Sequence, residues 1–206
     1  SSGEDVTVAQ QVTILASGVM DDPQHPGETA LFVGGTAARD TIIVYQMPRN
    51  SGHVCVSGSG GNQGCFVPSA GGSIYIYAGD GSDTVIVSRT VKHDVAIWGG
   101  AGRDKLHAGS SPATMYGGAG NDHLYGGRSR DALYGGPGND RLYGGGGDDW
   151  LFGEQGDDRL YGNRGDDVLV GGPGNDRLNG GPGDDLLIGG GDSDKLRGNS
   201  RLDLLV

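Results

Sequence analysis

Gly117–Tyr125 reads GGAGNDHLY, Gly135–Tyr143 reads GGPGNDRLY and Gly171–Asn179 reads GGPGNDRLN. All three are copies of one pattern. Cut every nine residues from Gly99, the remainder of the chain divides into twelve blocks. Position six is Asp in eleven of them: Asp104, Asp122, Asp131, Asp140, Asp149, Asp158, Asp167, Asp176, Asp185, Asp194 and Asp203, with Ala113 the exception. Position eight is Leu in eleven blocks, Met115 excepted, and position one is Gly in eleven, Ala108 excepted. Three registers held from Gly99 to the last residue define a repeat architecture.

Each block splits into a six-residue turn and a three-residue strand. Paired glycines permit positive φ and let neighbouring backbones approach closely. Side chains alternate along a strand, so the central apolar residue points inward and Leu106, Leu124 and Leu142 stack as a ladder. A turn without side-chain bulk aims several carbonyls at one point while its Asp adds charge. Calcium takes six to eight oxygen ligands of this kind.

The pattern resembles the RTX, or haemolysin-type, calcium-binding nonapeptide GGxGxDxUx, where U is a large apolar residue. The resemblance spans residues 99–206, about half the chain. It implies an all-β fold, a parallel β-roll or β-solenoid in which two blocks make one coil. Stacked coils at ~4.8 Å would give six coils and a rod of about 30 Å. It also implies Ca²⁺, each ion lying between two stacked turns with one Asp from each. One edge would pair Asp104/Asp122, Asp122/Asp140, Asp140/Asp158, Asp158/Asp176 and Asp176/Asp194. The other would pair Asp131/Asp149, Asp149/Asp167, Asp167/Asp185 and Asp185/Asp203. Backbone carbonyls of Gly118, Gly120, Gly136, Gly138, Gly145, Gly147, Gly172, Gly174, Gly181 and Gly183 would complete the ligand sets.

The turns are not equivalent. Ala108–Ala113 lacks Asp and is expected to hold no ion. Gly126–Asp131, with Arg128, Ser129 and Arg130, is expected to be weakened, and Asp192 and Arg201 interrupt the last two turns. Glu154 and Asn163 replace the second Gly, where Asn tolerates left-handed geometry better than Glu. Stacked carboxylates repel, and three-residue strands do not offset backbone entropy. The metal-free array is therefore expected to be disordered, with calcium binding supplying folding free energy.

Strand positions seven and nine point outward. One sheet would show Lys105, His123, Arg141, Arg159, Arg177 and Lys195 beside His107, Tyr125, Tyr143, Tyr161, Asn179 and Arg197, a basic and aromatic face. The other would show Trp150, Val168, Leu186 and Leu204 beside Tyr134, Phe152, Val170, Ile188 and Val206. That apolar face either packs against a partner protein, a second copy or another segment, or its ladders stiffen the sheet.

Residues 1–98 are less regular. Phe32–Tyr45 (FVGGTAARDTIIVY) and Ile74–Val87 (IYIYAGDGSDTVIV) each repeat an apolar run, a Gly-rich turn, Asp and a second apolar run. Short β segments also fit Val6–Val8, Val12–Leu15, Val54–Val56 and Val95–Trp98. This half reads as a degenerate, wider part of the same β-solenoid that caps the array, with a β-sandwich as the alternative. Asp83 is a further candidate calcium ligand, whereas Ala37 and Arg39 disturb the turn at Asp40. Cys55 and Cys65 flank VSGSGGNQG, a flexible connection that a disulfide would close in an exported protein; two free thiols are the alternative.

With 44 Gly and a net charge of −11, the chain suits cations and argues against nucleic acid. No apolar run reaches membrane-span length. Ser1–Val12 lacks the basic and apolar regions of an export signal, and RLDLLV (Arg201–Val206) ends on a strand, as in a trimmed fragment or an unusual cap. Neither a zinc-protease His-Glu-x-x-His nor a Gly-x-Ser-x-Gly elbow is present. The expected function is a non-enzymatic, calcium-folded module of a secreted or cell-surface bacterial protein. The alternatives are the repeat portion of a larger exported enzyme or toxin, and an adhesin or assembly module using the apolar face.

Overall fold

The computed structural model describes residues 30–47, 53–58, 61–67, 71–199 and 202–206. The segments expected at Val6–Val8 and Val12–Leu15 lie outside them. Every helix or strand among the described residues is a β-strand. Two parallel sheets face one another. The first sheet stacks Leu31–Gly34, Ile74–Asp80, Val95–Ala101, Ala113–Ala119, Ala132–Pro137, Trp150–Gln155, Val168–Pro173, Leu186–Gly191 and Leu204–Leu205 in that order. The second stacks Thr41–Gln46, Thr84–Val87, Lys105–His107, His123–Tyr125, Arg141–Gly146, Arg159–Arg164, Arg177–Asn179 and Lys195–Arg197. The chain alternates between them, which makes a β-solenoid.

Inward residues build the core. Leu106, Leu124, Leu142 and Leu160 are direct cross-strand partners in the second sheet, and Met115, Leu133, Leu151, Leu169 and Leu187 in the first. All are fully buried. Each buried Leu contributes ~1.5–3 kcal/mol of transfer free energy, and the repeat places one in every nonapeptide. The columns continue towards the N-terminus through Ile97, Ile76 and Val33 in one sheet and Val85 and Ile42 in the other. The described residues of the N-terminal half are thus solenoid rather than sandwich, and strand Val95–Ala101 crosses the 98/99 boundary.

Two features differ from the sequence reading. Many strands are longer than three residues: Arg141–Gly146 runs through the paired glycines, and Gly145 still pairs with Asn163. Positive φ at the second and fourth block positions, as at Gly136 (104°) and Gly138 (146°), turns the chain while neighbouring coils stay hydrogen-bonded. The connection between the cysteines also contributes strand on both of its sides. Val54–Gly58 and Gly61–Phe66 form an antiparallel hairpin on the outer side of Thr41–Gln46, closed by a Cys55–Cys65 disulfide. The alternation VCV supplies the strand that pairs with Thr41–Gln46, and the hairpin is inserted between two coils whose turn aspartates lie 43 residues apart.

Candidate metal centre

The turn between the two sheets places each repeat Asp at the mouth of the next strand. There its carboxylate reaches the coil before it. The backbone N–H of Asp122 donates to Oδ1 of Asp140 (2.7 Å), Asp140 to Asp158 (2.7 Å), Asp158 to Asp176 (2.8 Å) and Asp176 to Asp194 (2.9 Å). On the opposite edge Asp131 donates to Asp149 (2.8 Å), Asp149 to Asp167 (2.8 Å), Asp167 to Asp185 (2.9 Å) and Asp185 to Asp203 (3.1 Å). With Asp104 N–H donating to Oδ1 of Asp122 (2.8 Å), these rows bring together all eleven position-six aspartates.

One carboxylate oxygen is used in this way; the other is not. Oδ2 of Asp104, Asp122, Asp131, Asp140, Asp149, Asp158, Asp167, Asp176 and Asp185 is buried without a hydrogen-bond partner, and so is Oδ2 of Asp83. A buried anionic oxygen without a partner is costly. Burial accordingly raises the carboxyls above their ordinary value of 3.8: to about 8 at Asp131 and Asp140, about 7 at Asp149 and Asp158, and about 6 at Asp83, Asp122 and Asp167. Neighbouring carboxylates add to the rise, as Asp149 does at Asp131.

The glycines leave room only for backbone. A Cβ on Gly136 would run into the carbonyl of Gly118, and one on Gly138 into that of Gly120. On the other edge a Cβ on Gly165 would strike the Gly147 carbonyl, and one on Gly183 the Gly165 carbonyl. The position-two and position-four carbonyls therefore face the next turn along each edge. No group of three or more His, Cys, Asp or Glu side chains able to hold a metal occurs among the described residues. Main-chain oxygens are the further protein ligands that these turns offer a cation. Each Oδ2 lies by the position-one glycine of its own turn: a Cβ on Gly135 would meet both Asp140 Oδ2 and the Gly153 carbonyl. Carboxylate and main-chain oxygens with no side chain between them fit a hard cation such as Ca²⁺.

Asp131 keeps the common arrangement despite Arg128, Ser129 and Arg130: it is buried, its Oδ1 accepts from Ala113 N–H (2.8 Å) and its Oδ2 has no partner. The Ala108–Ala113 turn contributes that N–H and no carboxylate. Asp194 and Asp203 end the rows half-buried. Glu154 and Asn163 both take left-handed angles, φ 73° and 76°.

One part of the rows was read from the sequence only as a disturbed turn, and another was not read. Asp40 heads the first row: its N–H donates to Oδ1 of Asp83 (2.6 Å), whose N–H donates to Oδ1 of Asp104 (2.8 Å). Asp40 is fully buried, with Oδ2 held by Thr36 N–H (2.6 Å) and Oγ1 (2.9 Å) and Oδ1 unpartnered. In the sequence Asp40 takes the place of a repeat Asp in a disturbed turn, with Thr36 where the second glycine would stand. Outside the buried rows, Asn139 N–H donates to Asn121 Oδ1 (2.8 Å), Asp157 N–H to Asn139 Oδ1 (2.9 Å) and Asn175 N–H to Asp157 Oδ1 (2.8 Å). This outer row runs in the opposite direction, each side chain accepting from the following coil. Its signal was the recurrent Asn or Asp at position five.

On the outer faces, Tyr125, Tyr143 and Tyr161 stack with centroids 4.9 Å apart, so neighbours cover most of their ring faces. On the apolar face Trp150 is 46% exposed, while Phe152, Val168, Val170, Leu186 and Ile188 are half-buried by their ladder neighbours. No helix among the described residues is long and apolar enough to cross a membrane.

A sequence model of the RTX calcium-binding nonapeptide repeat matches residues 95–112, 113–142, 134–169, 143–178 and 170–200. No curated protein and no solved structure shows a significant match to the chain. The matched span begins at Val95, where the 18-residue strand register also begins.

Proposed function

The chain belongs to the RTX calcium-binding nonapeptide repeat family, and on that premise we propose a calcium-folded structural module of a secreted or cell-surface bacterial protein, acting without catalysis. RTX repeats bind Ca²⁺. The proposed ligands are the carboxylates of the eleven repeat aspartates from Asp104 to Asp203 and of Asp83, with the main-chain carbonyls of the position-two and position-four glycines from Gly118 to Gly183. The buried, unpartnered Oδ2 on nine of those repeat aspartates carries this reading.

Calcium supplies positive charge and coordination places for the oxygens that the fold leaves without partners. The chain's own groups do the rest. Main-chain N–H groups fix each carboxylate from the coil before, and the glycines keep side chains out of the turn. The leucine columns join the edges into one core. Without a counter-charge, the stacked carboxylates resist folding, so binding and folding are one equilibrium. The Cys55–Cys65 disulfide supports an oxidising, extracytoplasmic setting, where calcium is also plentiful.

Titration calorimetry on EDTA-stripped protein tests the reading. Several ions per chain are expected, close in number to the stacked Asp pairs. Uptake of one ion or none would overturn it.

A further inference from the structure

Two rows of charged side chains take no part in the buried aspartate rows: a basic column in which Arg141 and Arg159 are half-buried and Arg177 exposed, and an exposed acidic row. In the second sheet Lys105, His123, Arg141, Arg159, Arg177 and Lys195 form one column of direct cross-strand partners. Along the turns that leave this sheet for the first, Asp148, Asp166 and Asp184 are exposed and tied together. Asp166 N–H donates to Oδ1 of Asp148 (3.0 Å), and Asp184 N–H to Oδ1 of Asp166 (2.9 Å). Like charges directly opposite one another on neighbouring strands repel, so each row carries a self-repulsion. Beside the Arg column the corresponding turn positions are Asn121, Asn139 and Asn175, with one carboxylate, Asp157, among them.

The two rows cannot neutralise each other within one chain. Arg141 and Arg159 begin their strands, and Asp148 and Asp166 lie beyond the far ends of those same strands. Five to seven residues of extended chain separate the rows by roughly 15–20 Å. They therefore run along opposite long edges of the sheet. The rows nevertheless match in number and in step. Each of three successive coils carries one Arg and one Asp, and both rows repeat at the inter-strand spacing of about 4.8 Å.

We propose that the Arg141–Arg159–Arg177 row of one copy docks against the Asp148–Asp166–Asp184 row of a second copy, side by side and with coils level. The contact relieves both self-repulsions at once. Because the rows lie on opposite edges, the contact uses different surfaces on the two copies and leaves a free row at each end. Such heterologous contacts grow into open arrays rather than closed dimers. Exposed ion pairs are individually weak, so the association is cooperative along the row and sensitive to salt. The proposal rests on the calcium-folded reading, since only stacked coils align either row.

Sedimentation velocity on the full chain in saturating calcium tests it. At roughly 20 mM salt the sedimentation coefficient is expected to rise with protein concentration, and at about 0.5 M salt the rise should vanish. The triple variant R141E/R159E/R177E, and separately D148K/D166K/D184K, should weaken association by about tenfold or more. An equimolar mixture of the two should restore it, because each new row then meets its complement. A wild-type chain that stays monomeric at low salt overturns the pairing. If that monomer is also held on an anionic polymer column through its Arg row, the row serves a foreign polyanion instead. Circular dichroism of the same samples separates the levels: β signal without association overturns the pairing alone, and absence of β signal in calcium overturns the calcium-folding reading with it.

Discussion

The backbone N–H of Asp140 donates to Oδ1 of Asp158, one coil later, at 2.7 Å, and Oδ2 of Asp158 is buried with no partner. This pairing does two things. It fixes the carboxylate with a main-chain donor, and it leaves the second oxygen for a cation. Repeated along both edges, it makes the chain's stability depend on what meets those oxygens.

Asp158→Asn keeps an Oδ1 acceptor for Asp140 N–H but removes the charge and turns Oδ2 into an NH₂ donor. The calcium midpoint for folding should rise by about tenfold, equivalent to ~1.4 kcal/mol. In EDTA the variant should be no less folded than the parent, because a desolvated charge has been deleted. Calcium-dependent fluorescence titration reads both; an unchanged midpoint would remove Asp158 from the ligand set.

The metal-free protein should lose structure as pH rises. Folded-state carboxyls at about 6 to 8 lie above the ordinary value of 3.8, because burial disfavours the charged form. Below 3.8 both the folded and unfolded forms are protonated, and these groups do not oppose folding. Above it the unfolded chain ionises first. Stability then falls steadily until the folded carboxyls ionise near pH 8. In EDTA, β-sheet circular dichroism should be stronger at about pH 5 than at about pH 8.5. Calcium should reverse that order, since protons compete with the ion for the same oxygens.

Glu154 holds φ at 73°, an angle that strains a residue with a Cβ. Glu154→Gly restores the common turn and should stabilise the calcium-bound protein by about 1 kcal/mol in urea unfolding, less the extra chain entropy of glycine. Asn163→Gly, at 76°, should gain less, because Asn tolerates this geometry.

The disulfide should act locally. Cys55→Ser with Cys65→Ser opens a loop of sequence separation 10 and should cost the hairpin about 2–3 kcal/mol. Calcium stoichiometry at the nonapeptide turns should not change. Hydrogen exchange would show faster exchange at Val54–Gly58 with the leucine columns still protected.

The regular part of the fold was legible because each coil solves the same problem with the same residues. Leu at position eight and Asp at position six hold one register through Asp203, so core and carboxylate rows could be placed before any coordinates. Legibility failed where different residues occupy the same geometry. Thr36 holds Asp40 by its N–H and hydroxyl where a repeat block has its second glycine, so that rung was legible only as a Gly-rich turn with a disturbed Asp. The hairpin was hidden because VSGSGGNQG has the composition of a flexible loop, while its pairing is set by strand Thr41–Gln46 beside it. Strand length was underestimated because positive-φ glycines usually end a strand, and here they bend one that remains paired. The position-five row depends on contact between coils, which sequence order does not display.

Far-UV circular dichroism of chelator-stripped protein at neutral pH, titrated with calcium and separately with magnesium, tests the central claim most directly. The account predicts a cooperative gain of β signal with calcium and little with magnesium, whose strict octahedral demand suits these carbonyl-rich turns poorly. A chain fully folded after chelation, unchanged by calcium, would contradict it.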